Sequence, residues 1–245
     1  MKIISYILSS IFGLVFFLIL LIFHPIQWLC VNVFGYEAHK WSVDTLNWFL
    51  VKSLLILGIP VHFKKEHDIP EGETIIFASN HQSMFDIPPI IWYLRKHHPK
   101  FVSKIELGKG IPSISYNLRH GGAALINRKD RLQALKELIT FSKRIHKNKW
   151  SAVIFPEGTR SRDGHPKKFA TGGLKSIISY NKEAYIVPIT VNNSWKIFKY
   201  GKFPFGIFSP LQVEVHAPVH LKNKDVDEVL HNVEEQIKSK INVGT

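Results

Sequence analysis

Thr74-Ile75-Ile76-Phe77-Ala78-Ser79-Asn80-His81-Gln82-Ser83-Met84-Phe85-Asp86 holds the sharpest change of pattern in the chain. The stretch from Thr74 to Ala78 has the length and β-branched content of a buried strand. It stops at a polar Ser-Asn-His step, and Ser83 to Leu94 then takes a helical pattern. Pro88 and Pro89 fit that helix only within its first turn, where a missing N–H is tolerated. A buried strand feeding a helix is the repeating unit of α/β layers.

Downstream the alternation continues. Ala123 to Ile126 reads as a short strand, and Asp130 as the N-cap of a helix with Leu132, Leu135, Leu138, Ile139 and Ile145 on one stripe. Ser151 to Phe155 and Tyr185 to Val191 are two further strands. Val213, Val215 and Ala217 alternate like a strand with one exposed face, and Val226, Val229, Leu230, Val233, Ile237 and Ile241 make a closing amphipathic helix. The expectation is an α/β body, residues 60–245, with a mixed sheet flanked by helices. No internal repeat or linker splits it.

Upstream the character changes. Residues 3–36 contain no Lys, Arg, Asp or Glu, and the apolar run 3–23 would reach roughly 32 Å as a helix, enough to cross a bilayer. His24-Pro25-Ile26-Gln27-Trp28 offers no small-residue cleavage site, so the segment is expected to be kept rather than removed as a signal peptide. A second apolar stretch, Leu46 to Gly58, is short for a span and carries Lys52, which suits a helix lying in the interface. With Trp28, Phe34 and Trp41 it makes residues 1–59 a membrane-associated helical hairpin dipped into one leaflet, aromatics at head-group depth and Lys52 reaching outward. One true span followed by a buried core helix is the other reading. The Lys and Arg excess after residue 60 places the body on the cytoplasmic face.

Composition narrows the function. Apolar residues make up 45% of the chain, which is enough for a core and excludes disorder as the main state. Cys30 is the only cysteine, which excludes a disulfide scaffold and a zinc-thiolate or iron–sulfur site, and no metal is expected. The net charge of +13 suits nucleic acid, anionic lipid head groups or acidic carriers. No zinc-finger spacing, aromatic–basic RNA motif or Gly-rich nucleotide loop supports nucleic acid.

His81 and Asp86 are a candidate base and its orienting carboxylate. A neutral imidazole can take a proton from a hydroxyl while the carboxylate fixes its tautomer. The same spacing recurs at His39 with Asp44 and at His220 with Asp225, where Asp225 reads more simply as an N-cap. Spacing therefore leaves open a hydrogen-bonded turn histidine. Context favours His81, which alone sits at a strand end, with Asn80 and Ser83 around it. A second constellation, Phe155-Pro156-Glu157-Gly158-Thr159-Arg160-Ser161, runs a strand into a turn that presents Arg160, whose planar fork matches phosphate. A surface turn with solvated charges is the alternative.

Taken together, Asn80-His81-Gln82-Ser83-Met84-Phe85-Asp86 and Phe155-Pro156-Glu157-Gly158-Thr159-Arg160-Ser161 resemble two blocks of the glycerolipid acyltransferase family, most closely its lysophosphatidic acid acyltransferases. Gly122 to Arg128 and Ile186 to Ile189 are similar to the two remaining blocks, in the family's order, with Asn127 where an acidic or other polar residue often precedes the arginine.

The resemblance implies a single acyl transfer from an acyl thioester, acyl-CoA or acyl-carrier protein, to the free hydroxyl of lysophosphatidic acid. His81 would be the general base and Asp86 its orienter. Arg160 would hold the acceptor's phosphate, with Lys104 and Arg128 as further basic contacts, and Glu157, Gly158 and Thr159 would shape the acceptor pocket. No cofactor beyond the acyl donor is implied. The partners expected are membrane lipids and these substrates, with no nucleic acid. Another lysophospholipid or glycerol 3-phosphate as acceptor, a thioesterase using the same pair to activate water, and a non-catalytic lipid-binding protein are the rivals.

Overall fold

The computed structural model describes residues 2–243. One sheet runs in the order β1 (Val61–Lys65), β7 (Leu211–Val215), β6 (Tyr185–Asn192), β2 (Ile75–Ser79), β5 (Ser151–Ile154), β3 (Pro99–Lys104) and β4 (Ala124–Ile126), and β8 (Val219–His220) also pairs with β6. From β6 to β4 the five strands are parallel. β7 runs antiparallel to β6, with Ile189 opposite Val215, and β1 runs parallel to β7. The sheet is therefore mixed, as read.

Both faces are covered, which is why β2, β5 and β6 read as nearly unbroken apolar runs. Phe77, Val153, Val187 and Ile189 belong to one core, shared with α3 (Ile87–Tyr93) and the N-terminal helices. Ile76, Ala78, Ala152 and Ile186 face the other, against α5 (Arg131–Asn148), α6 (Gly172–Ile178) and α7 (Val226–Ser239). Asp130 caps α5 by accepting from Gln133 N at 3.0 Å, and Asp225 caps α7. The expected stripe on α5 needs correction at its start. Leu138 and Ile145 are buried with Phe141, but Leu132 and Leu135 are exposed, because the edge strand β4 is too short to cover those turns. Ala217 lies just past the end of β7, whose Val213 and Val215 are buried.

α1 (Lys2–Leu29) runs through Pro25 and a π-helical turn, Cys30–Phe34, and stops at Gly35, whose φ of 81° suits glycine. α2 (Tyr36–Ser53) begins ten residues before the apolar stretch that signalled it and packs back on α1 as a hairpin, through Leu46 and Leu50 against Leu20 and Phe23. The body lies alongside α1. Ser9 Oγ accepts from Phe205 N at 2.8 Å, and the Phe12 ring sits 5.7 Å from that of Phe85. Ser113 Oγ donates to Leu20 O at 2.6 Å, and Asn32 reaches the Tyr116 hydroxyl at 3.1 Å. These contacts extend over roughly 35 Å of helix from Ser9 to Asn32. The opposite side of α1, with Ile3, Ile7, Leu14, Leu18 and Ile22, is apolar and bare.

Candidate active site

His81 lies just past the C-terminal end of β2, and Asn80 fixes the exit of the chain. The Asn80 side chain accepts from Val191 N at 2.7 Å and donates to Val191 O at 2.8 Å, a paired bond across to β6. The next residues form a capping box before α3. Ser83 Oγ accepts from Phe85 N at 3.1 Å, while Asp86 Oδ2 accepts from Ser83 N at 2.9 Å and Gln82 N at 2.8 Å. That fold-back brings Asp86 Oδ2 to 2.8 Å from His81 Nδ1. Ser194, just after β6, donates its hydroxyl to Asp86 Oδ1, and Ser83 Oγ lies 3.4 Å from the same oxygen.

Asp86 is fully buried, so its charge is tolerable only because these donors surround it. The proton on Nδ1 points at the carboxylate, which assigns the free lone pair to Nε2. The imidazole also stacks on Phe155, with centroids 4.0 Å apart and planes 14° apart. Its side chain stays 14% exposed, enough for a reactant to reach it. Of the three pairs with this spacing, only this one meets. Asp44 pairs instead with Lys40, Asp225 is spent on the cap of α7, and His220 rests on Tyr185.

The turn after β5 is locked to His81 through the backbone on both sides. Glu157 Oε1 accepts from His81 N at 3.2 Å, and Ser161 N donates to His81 O at 2.7 Å. Gly158 has φ +70°, a left-handed conformation that glycine adopts without strain, and its carbonyl accepts from the Arg128 guanidinium. Glu157 Oε2 is buried and has no hydrogen-bond partner among the described residues. Burial pushes the Glu157 carboxyl up to about 7, against the opposing pull of the His81 amide.

The basic side chains gather at the same ends of the parallel strands, where open α/β sheets place their ligands. Lys104 closes β3 opposite Ile126, two residues before Arg128, and is exposed. Thr159 Oγ1 accepts from Lys167 Nζ at 2.9 Å, and Lys167 also reaches Arg160 O at 2.9 Å. Among the described residues the Arg160 guanidinium makes no hydrogen bond or ion pair. It lines a mainly apolar cavity of about 240 Å³. Met84, Phe85 and Phe101, Ile111 and Ile114, and Val43, Leu46 and Leu50 of α2 line the same cavity, as do Lys40, Asp44 and Lys100.

All eight residues singled out in the sequence therefore fall at the C-terminal ends of the parallel strands or on the turns that follow them. Sequence reasoning missed Ser194, Phe155 as a stacking partner and Lys167 as a brace. Ser194 lies 108 positions from Asp86 in no local motif, so only the pairing of β6 with β2 reveals it.

Residues 60–192 match the family model described as Acyltransferase. The 1-acyl-sn-glycerol-3-phosphate acyltransferase of Helicobacter pylori is 36% identical over 141 residues, covering 56% of this chain and 56% of that protein. The chloroplastic 1-acyl-sn-glycerol-3-phosphate acyltransferase LPAT1 of Arabidopsis thaliana is 29% identical over 163 residues, 65% of this chain and 43% of that protein. The chain thus spans about half the length of the curated relatives it matches. The crystal structure of the 1-acyl-sn-glycerophosphate (LPA) acyltransferase PlsC of Thermotoga maritima superposes with a TM-score of 0.77 at 22% identity, covering 98% of this chain and 95% of that one. That likeness establishes a shared fold.

Proposed function

Because the chain belongs to the acyltransferase family, we propose that it transfers a fatty acyl group from an acyl thioester to the free hydroxyl of lysophosphatidate, making phosphatidate for phospholipid synthesis. The observation that carries this reading is the 2.8 Å contact between His81 Nδ1 and a fully buried Asp86, which leaves Nε2 with the free lone pair, while Met84, Phe85 and Arg160 from the same two turns line the apolar cavity.

In the reaction, Nε2 of His81 takes the acceptor's hydroxyl proton as the oxygen attacks the thioester carbonyl. The carbon–sulfur bond then breaks, and the imidazolium returns the proton to the departing thiolate, free coenzyme A or carrier thiol. Asp86 holds the Nδ1 proton and stabilises the imidazolium between the two transfers. The sequence contains no Gly-x-Ser-x-Gly elbow, so the acyl group passes directly to the acceptor. Arg160 holds the acceptor's phosphate, with Arg128 and Lys104 adding positive charge along the same loops. Glu157 Oε2, buried and unpartnered, is the natural acceptor for a hydrogen bond from the glycerol backbone. The acyl chain lies in the apolar cavity.

The bare side of α1 lies in one leaflet. The body lines the other side of that helix from Ser9 to Asn32, so little of α1 is free to cross a bilayer, which supports the interfacial hairpin over the span. The +13 charge of the chain suits anionic head groups on the cytoplasmic face and an acidic acyl carrier.

The test is an acceptor panel on the detergent-solubilised chain: lysophosphatidate, glycerol 3-phosphate and lysophosphatidylcholine, each with acyl-CoA and with acyl-carrier protein. Phosphatidate should form from lysophosphatidate. His81→Ala should abolish it, and Arg160→Ala should chiefly raise the apparent KM for the phosphate-bearing acceptor. Release of free fatty acid without acyl gain by any acceptor overturns the proposal in favour of hydrolysis.

A further inference from the structure

At the other side of β6 from the catalytic strand, three side chains from distant parts of the chain converge. Glu66 follows β1, Glu214 lies in β7 and His216 follows β7, and one donor atom from each falls within 4.8 Å of the other two. Lys64 stands opposite Glu214 in the β1–β7 register, and its ammonium bridges Glu66 Oε1 at 2.8 Å and Glu214 Oε1 at 2.9 Å.

His216 is what distinguishes this cluster from an ordinary surface ion pair. Its side chain has no exposure, and its backbone is tied to Pro188 O at 3.0 Å. Nε2 lies 2.8 Å from Thr190 Oγ1, and that hydroxyl also lies 3.4 Å from Ile237 O; in the tautomer where Thr190 donates to Ile237 O, Nε2 carries the ring proton. Nδ1 is then a bare lone pair, buried, without a hydrogen-bond partner, and aimed at Glu66 Oε2 3.8 Å away. In that tautomer the lone pair faces carboxylate oxygens, a repulsion that a bound cation relieves, with a proton on Nδ1 as its competitor. Thr190 meanwhile supplies the outer hydrogen bond that commonly orients a metal-bound imidazole.

We infer that Glu66, Glu214 and His216 form a binding site for a divalent transition-metal ion such as Zn²⁺, which clips β1 to β7 at a distance from the acyl-transfer site. One imidazole and two carboxylates suit a borderline metal better than Ca²⁺ or Mg²⁺. Tetrahedral ligation at about 2.1 Å requires donor atoms roughly 3.4 Å apart. Closure from the present spacing falls to the two glutamates, since His216 is fixed and their side chains are 30% and 21% exposed. Lys64, with 66% of its side chain exposed, holds the cation's place and swings out as the metal enters.

The test uses the full chain in detergent, stripped with a chelator and titrated with Zn²⁺ by calorimetry and with Co²⁺ by visible absorption. The expected result is one ion per chain, a Co²⁺ ligand-field band of low coordination number, and a thermal midpoint that rises with metal concentration. Glu66→Gln with Glu214→Gln should weaken binding at least about tenfold, and Lys64→Ala should tighten it by about the same factor. His216→Ala should abolish the band. Should that variant fail to fold, the two glutamine substitutions at partly exposed positions carry the test. Absence of stoichiometric binding, or affinity unchanged in the double glutamine variant, overturns the site and assigns any uptake to other histidines.

Discussion

Replacing Asp86 with asparagine separates the charge of the carboxylate from the geometry it enforces. Oδ2 accepts from His81 Nδ1 at 2.8 Å, Gln82 N at 2.8 Å and Ser83 N at 2.9 Å, while Oδ1 faces the hydroxyls of Ser194 and Ser83. An asparagine with its oxygen in the Oδ2 position keeps all three of those bonds, and its amide nitrogen then meets two hydroxyls that can rotate to accept. The turn and the imidazole tautomer survive, and only the negative charge is lost. An imidazolium and a carboxylate with charge centres about 4 Å apart, at an effective dielectric of about 20, attract by ~4 kcal/mol. Loss of that attraction should lower kcat roughly 10³-fold. Initial rates at saturating lysophosphatidate and acyl-CoA, with thermal unfolding measured alongside, supply the assay. A fall of less than about tenfold with unfolding unchanged would refute the role given to the charge. Asp86→Ala is a poor substitute, because it strips the capping box from a fully buried turn and confuses inactivity with unfolding.

Ser194→Ala removes the shorter of the two contacts to Asp86 Oδ1. A hydrogen bond to a charged group is worth about 1.5–3 kcal/mol, so kcat should fall about tenfold. Initial rates with thermal unfolding measured alongside check this, and an unchanged kcat counts against the contact. Glu157→Gln tests the buried carboxyl at 157 through stability. Its folded value, about 7, lies above its ordinary 4.5, so its stabilising contribution is complete below the ordinary value and is lost as pH rises through 7. The glutamine variant should therefore gain on the parent between pH 5 and pH 8 by about 1–2 kcal/mol in denaturant unfolding, discounted for partial solvent access, and parallel curves would contradict the assignment. Ile114→Trp narrows the cavity and should shift donor preference toward shorter acyl chains, read from competing acyl-CoA species; an unchanged preference would place the acyl chain elsewhere.

Legibility followed how completely each segment is buried. Thr74 to Ala78 and Tyr185 to Val191 map to central strands covered on both faces, so all but Thr74 and Thr190 are apolar or aromatic and the pattern is plain. β1 and β3 were invisible because each serves an edge or a polar site. β1 carries His62, Lys64 and Lys65 at the sheet edge, and β3 opens with Pro99 and Lys100. The first half of α2 was hidden for a related reason, since His39, Lys40 and Asp44 line a cavity rather than a core. Leu132 and Leu135 misled in the opposite sense, as apolar residues on a helix face with nothing beneath them. Within the site, the two motif turns were legible because capping boxes and glycine turns are local. Sorting His81–Asp86 from the two look-alike pairs required knowing what else each aspartate could bind. Asp44 has a lysine four residues earlier and Asp225 has the free amides of α7, whereas Asp86 is returned to its histidine by the turn between them.

The N-terminal hairpin is more than an anchor attached to a finished enzyme. Phe12 lies in the same core as Phe77 and Val187 of the sheet, and its ring packs against Phe85 within the His81–Asp86 turn. Leu46 and Leu50 hold α1 in place on one side and line the cavity on the other, and Phe16 also lines that cavity. Helix α1 thus stands between its own bare face and the space proposed for the acyl chain, with Phe16, Leu46 and Leu50 lining that space. The Phe12–Phe85 contact joins α1 directly to the turn that holds Asp86.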